Sequence, residues 1–128
     1  MTDTSVAYVA QQVRAALDAA DLEQFAELLD PRVTWGAPGD PSPPCQSREQ
    51  VLAWYAQGRA DGRRARIRHV ATNDDKIMVT MSVMSPDGSG NTTEADRWQV
   101  LTVANGRVTD IRGYDDEPAA SAAAGLIA

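Results

Sequence analysis

From Arg64 to Tyr114 the chain runs through segments of β-type pattern that no helical period interrupts. ARIRHVAT is joined by NDD to KIMVTMSVM, and SPDGSGNTT makes a long turn. ADRWQVLTV and GRVTDIRGY then form a hairpin across Ala104, Asn105 and Gly106. Strands this close in sequence pair antiparallel, because a parallel pair needs a longer crossover. The second half of the chain is therefore a sheet, and whatever covers that sheet must come from the first half.

The first half reads as helices. Val6, Val9, Ala10, Val13, Ala16 and Leu17 fall at helical spacing between about Ser5 and Ala20. Asp21 can cap a short second helix with Leu22, Phe25, Ala26 and Leu29 on one face, and Pro31 stops it. RVTW, at 32–35, is a short β-prone run. GAPGDPSPPCQ follows as an irregular loop with four prolines. SREQ opens a third helix as a capping box, with Ser47 capping the backbone and Gln50 reaching back. The order is helix, helix, short strand, helix, then long strands. This is an α+β plan with helices on one face of the sheet.

At 128 residues the chain makes one domain, expected over 1–117, with PAASAAAGLIA at 118–128 as a low-complexity, loosely packed tail. Its 43% hydrophobic residues suffice for a core, and a net charge of −6 argues against nucleic acid as a partner. No apolar run is long enough to cross a bilayer, and MTDTSVAYVA lacks the features of a signal peptide. With Cys45 as the single cysteine there is no internal disulfide, and a cytoplasmic location is the simple expectation. One histidine and one cysteine give no metal site, and no glycine-rich phosphate loop is present, so no cofactor is expected.

Alternation sorts the strand residues into two sides. Ala65, Ile67 and His69 share one side, as do Ile77, Val79, Met81 and Val83. Leu101 and Val103 carry Arg97 and Gln99 with them, and Ile111 and Gly113 carry Asp115. With Trp35 and Tyr55 these residues would form an apolar cup holding a few polar groups, the ordinary chemistry of a small-molecule site. His69 is either a hydrogen-bonded core residue or an acid–base group. Asp115 is either a solvated strand end or a base at the rim, free to pair with Arg97, and Asp116 should face away. Five arginines between Arg59 and Arg68 form either a solvated helix end and strand side or a patch for an acidic ligand or partner. Met78, Trp98, Val100 and Thr102 lie on the opposite side, where an exposed apolar patch favours association as a homodimer.

DAADLEQFAELLDPRVTW, the proline-rich loop, SREQVLAWYAQG and NGRVTDIRGYDD together resemble the nuclear transport factor 2-like superfamily. That group includes SnoaL-like polyketide cyclases, ketosteroid isomerases and limonene-type epoxide hydrolases. The resemblance spans roughly residues 6–117. It implies a cone-shaped, curved, mixed but mostly antiparallel sheet wrapped around three N-terminal helices, a cystatin-like α+β barrel with a pocket inside. It also implies dimerisation through the outer sheet face. The isomerase base position falls near Ala37, the helix-one tyrosine near Val13 and the oxyanion-hole acid near Gln99. The acid on the last strand of the cyclases falls near Gly113, and the Arg-x-Asp pair of the epoxide hydrolases is half kept as Arg97-Trp98-Gln99. Each of the four acid or tyrosine positions holds a different residue here. The resemblance thus implies a binder of a hydrophobic polyketide-, steroid- or terpene-like molecule. Asp115 or His69 would act as base, Gln99 and Tyr55 would polarise an oxygen, and Trp35, Arg97, Ile111 and Gly113 would line the pocket. The alternative is a non-catalytic binding or scaffold protein of the same fold.

Overall fold

The computed structural model describes residues 5–126. Helix α1 (Val6–Ala19) starts where Ser5 accepts a hydrogen bond from the Tyr8 amide, and α2 (Leu22–Leu28) starts where Asp21 accepts from Gln24. These are the caps their sequences call for. Strand β1 (Leu29–Gly36) is longer than RVTW, because it takes in Pro31. A proline fits there because β1 is an edge strand, where a missing N–H removes no ladder bond from a second neighbour. Helix α3 (Arg48–Ala60) is capped by Ser47, whose Oγ accepts from the Gln50 amide at 3.2 Å. The Gln50 side chain bonds the amide of Gln46 rather than that of Ser47, one residue further back than a capping box requires.

Strands β2 (Arg64–Asn73), β3 (Lys76–Pro86), β4 (Thr92–Ala104) and β5 (Arg107–Tyr114) form an antiparallel meander, and β1 joins β5 in parallel. The order is β1-β5-β4-β3-β2 in a curved sheet that does not close. Asn105 and Gly106 turn between β4 and β5 with φ of 54° and 78°, the double positive φ of a tight hairpin turn. On the inner face, α1, α2 and α3 pack against the sheet through Val9, Val13, Phe25, Val51, Ile77, Val79, Leu101 and Ile111, all buried.

Two expectations are corrected. First, the tail is helical. Asp116 caps α4 (Glu117–Ala123) by accepting from the Ala119 amide at 3.1 Å. At the other end Gly125, at φ 73°, turns the chain so that the Leu126 amide bonds the Ser121 carbonyl and the Gly125 amide bonds that of Ala122. Asn73 Nδ2 then clamps the carbonyls of Ala124 and Gly125 at 3.1 and 2.9 Å. Alanine is the strongest helix former, so a run of alanines between an N-cap and a C-terminal glycine is a helix signal despite its low complexity. Second, α4 places a helix on the outer sheet face as well. Ala120 and Ala124 are buried against Met78 and Val100, with Trp98 and Tyr114 alongside. The patch expected to drive dimerisation is therefore covered by the chain itself: Met78 is 7% and Val100 5% exposed.

Candidate functional site

Along β4 the inward residues change from Leu101 to Gln99 to Arg97, and along β5 from Ile111 to Gly113. The registers Leu101↔Ile111 and Gln99↔Gly113 set these changes side by side. Large apolar side chains give way to a polar amide, a charge and a residue with no side chain. The core stops there, and a cleft of about 1010 Å³ opens. Its walls are Trp35 on β1, Trp54 and Tyr55 on α3, Met81 and Val83 on β3, and the loop after β1.

The aromatic wall is internally braced. The rings of Trp35 and Trp54 lie 4.1 Å apart at 35°, and Tyr55 meets both Trp54 and Phe25 edge-on at 5.3 Å. Trp54 is 42% exposed, so the stack offers apolar surface to the cleft. The Trp35 Nε1–H is buried with no acceptor among the described residues, a costly state for an indole. Gly113 lies opposite: a Cβ there would sit 3.8 Å from Trp35, in ordinary contact. The glycine therefore leaves room where a side chain could stand.

The polar centre is the pair Tyr55 and Gln99. The Tyr55 hydroxyl donates to Gln99 Oε1 at 3.1 Å. Gln99 is only 7% exposed, and its Nε2 donates to no group among the described residues. Burial pushes the Tyr55 pKa up to about 12; Cys45 acts in the same direction, and the Gln99 amide pulls the opposite way. Tyr55 therefore stays protonated at neutral pH. Its hydroxyl holds the amide oxygen and leaves the amide N–H groups as donors. The arrangement can polarise a carbonyl without carrying charge.

The loop that completes the wall is pinned from behind. Arg112 bonds both carboxylate oxygens of Asp110 at 3.1 Å through Nε, and its Nη1 holds the carbonyls of Ala37 and Asp40 at 2.9 Å. Thr34 donates to the same Asp110. At the loop's base Trp35 and Cys45 exchange backbone hydrogen bonds, and Gly36 lies so near Pro43 that a Cβ would come within 2.8 Å. Arg112 and Asp110 thus position the loop. The alternation of β5 puts them on the outer face, and only the fold reveals that they reach around the edge of β1. Cys45 is buried, and burial pushes its thiol pKa up, which disfavours the thiolate that a nucleophile needs.

The structure brings together Trp35, Tyr55, Arg97, Gln99, Gly113 and Asp115 around this cleft. Asp115 lies just past the end of β5 at the rim, exposed, and makes no ion pair with Arg97. Asp116 also contributes to the rim, but its carboxylate is occupied in capping α4. Two expected site residues lie elsewhere. Ile111 is fully buried in the core beneath the cleft. His69 is exposed on the outer face. A bulge in β2 between Ile67 and His69 pairs Ile67 with Met81 but His69 with Thr80, so the side chains switch faces. Arg59, Arg63 and Arg64 of the arginine cluster line the cleft as well, and so do Trp54 and Tyr114, which the sequence did not single out. Trp54 is brought there by its stack on Trp35, a contact between α3 and β1 that local sequence does not show, and Tyr114, outward by alternation, reaches the rim at the end of β5.

Among the described residues no three histidine, cysteine or carboxylate side chains gather as metal ligands, and no helix is long and apolar enough to cross a membrane.

Comparison with curated proteins finds no match. Solved structures share the fold. A protein from a soil-derived mobile gene cassette is 24% identical, with a TM-score of 0.70 over 85% of this chain and 87% of that one. TerC, co-crystallised with polyporic acid, is 17% identical, with a TM-score of 0.69 over 89% and 93%. An LEH-like epoxide hydrolase of M. tuberculosis is 15% identical, with a TM-score of 0.66 over 87% and 82%. The SnoaL-like domain model matches residues 9–111, which run from the first buried turn of α1 to Ile111 beneath the cleft, and the chain belongs to that family.

Proposed function

We propose that the protein binds a hydrophobic, ring-bearing small molecule of polyketide-, steroid- or terpene-like character in this cleft, and acts on it by cofactor-independent acid–base chemistry. The observation that carries this reading is the part-buried Tyr55–Gln99 pair, beside a tryptophan stack whose Trp54 is exposed and opposite a glycine. The ring system would lie against Trp35 and Trp54. A carbonyl or hydroxyl oxygen would take the free Gln99 N–H. Asp115, the rim carboxylate without a partner among the described residues, would take or return the proton, as in an isomerase or cyclase. The last-strand acid of the cyclases falls near Gly113, two residues before Asp115, and the glycine makes room for a carboxylate displaced that far along the chain. A cytoplasmic location fits a single buried, protonated cysteine.

A second reading, binding without turnover, has its own support. Nothing holds the exposed Asp115 carboxylate in place, and Ala37, Gln99 and Gly113 bring no acid into the cleft. Self-association through the outer sheet face loses its driving force once α4 covers Met78 and Val100, and neither reading depends on it.

The test is a thermal-shift screen of ring-bearing ketones, quinones and epoxides, followed by assay of the binders for turnover. Any ligand that prefers the native state raises the melting temperature. For a compound that is turned over, Asp115→Asn should cut the rate by about 10²–10⁴-fold, with Asp116→Asn nearly silent. Equal losses from both variants would remove Asp115 from its role, and binding with no turnover would favour the second reading.

A further inference from the structure

Arg59, Arg63, Arg64 and Arg97 all line the cleft. The first three sit where α3 turns into β2, and Arg97 is inward on β4, across Met81. Asp40, Asp115 and Asp116 line the cleft too, so four arginines against three carboxylates leave it slightly positive in a protein whose net charge is −6. Elsewhere Arg14, Arg68 and Arg112 are paired with Asp18, Asp96 and Asp110. None of the four cleft arginines has a carboxylate within ion-pair distance among the described residues.

Their remaining bonds separate them. Arg64 donates to the carbonyls of Arg59 and Arg63, closing the end of α3. Arg59 donates to the carbonyl of Ala20, and Arg97 to that of Asp96. The Arg63 guanidinium has no acceptor among the described residues, though its backbone amide bonds the Gly58 carbonyl. Its Nη1 lies over Gly58, 3.8 Å from where a Cβ would stand, in ordinary contact. Arg59, Arg63 and Arg64 also border a smaller hollow of about 220 Å³, which Tyr55 and Met81 share with the main cleft. The charged rim therefore continues from the aromatic wall and the Tyr55–Gln99 pair.

We infer that the ligand carries an anionic planar group, a carboxylate or equivalent oxyanion, which Arg63 and Arg97 receive at the mouth while the ring system stacks on Trp35 and Trp54. A guanidinium presents paired N–H donors that match a carboxylate, and charge-assisted bonds of this kind are about twice as strong as neutral ones. The inference rests on the cleft being the binding site and adds the class of molecule: aromatic or polycyclic acids rather than neutral hydrocarbons. At the mouth solvent and salt reduce the gain, so selectivity rather than high affinity is the expected signature.

The test is calorimetric titration of the full chain with 2-naphthoate and its neutral counterpart 2-naphthylmethanol. Naphthoate should bind about tenfold more tightly at low salt, and the advantage should shrink at high salt. In Arg63→Gln/Arg97→Gln the advantage should vanish while naphthylmethanol binding is unchanged. Arg63→Lys/Arg97→Lys should retain part of it, and Arg107→Gln, at the far end of β5, all of it. Equal binding of the two probes, or an advantage that survives in the Gln double variant, overturns the inference and leaves the cleft standing as a neutral site. Binding of neither probe overturns both this inference and the assignment of the cleft.

Discussion

The inner face of the sheet has two ends built from the same strands, and they differ in what stands on them. At one end Ile77, Val79, Leu101 and Ile111 are fully buried beneath the helices. At the other, two residues further along each strand, Met81, Gln99 and Gly113 border open space. Backbone register is continuous across the change on β3 and β4, from Ile77↔Leu101 to Met81↔Arg97. The cleft is therefore not a gap left by poor packing. It arises where side-chain size and polarity change on strands that continue unbroken. The closed end should carry stability and the open end should carry binding.

This division can be broken most severely at the closed end. Leu101→Ala removes a fully buried side chain from the centre of the sheet, and denaturant unfolding should register a loss of about 2–5 kcal/mol. On the outer face Asp116→Ala removes the cap of α4 and should cost about 0.5–2 kcal/mol in the same measurement while leaving ligand affinity unchanged. An affinity loss in that variant would show that the rim carboxylate at 116 takes part in binding.

Tyr55 joins the two ends, and its titration reports on both. Its pKa is raised from 10.0 to about 12 by burial, so the folded state holds the proton more tightly than the unfolded state does. The stability this confers is fully present below about pH 10 and is lost as pH rises towards 12. Tyr55→Phe should therefore flatten the fall of stability across that window relative to the parent. An identical fall in both proteins would mean that the phenol is solvated. Smallest of all should be Gly113→Ala: the new Cβ meets Trp35 at 3.8 Å without crowding, so unfolding free energy should stay within about 0.5 kcal/mol.

The fold was legible because its signals are local and agree with one another. Ser5, Asp21 and Ser47 each cap the helix that follows, and the strand runs end at turn residues that the structure uses as turns. The lining of the cleft was legible where alternation holds without interruption, as for Arg97, Gln99 and Gly113. It failed at His69 because ARIRHVAT keeps its alternation through Arg68, and a bulge leaves no mark in such a pattern. Ile111 was placed in the site because inward direction does not say how deep a residue lies. The tail was misread because its composition was weighed and its caps, Asp116 and Gly125, were not. The arginine rim depends on where the end of α3 meets β4, a long-range relation that no local window contains.

The most direct test of the division between the two ends is to fill the open one. Gly113→Leu should place a side chain against Trp35 in the space assigned to the ligand. Titration of parent and variant with 2-naphthylmethanol, followed through tryptophan fluorescence, should show saturable binding to the parent and none to a variant whose melting temperature is within a few degrees of the parent's. Equal binding to both proteins would contradict the account, because the ligand would then lie somewhere other than between Gly113 and the tryptophan stack.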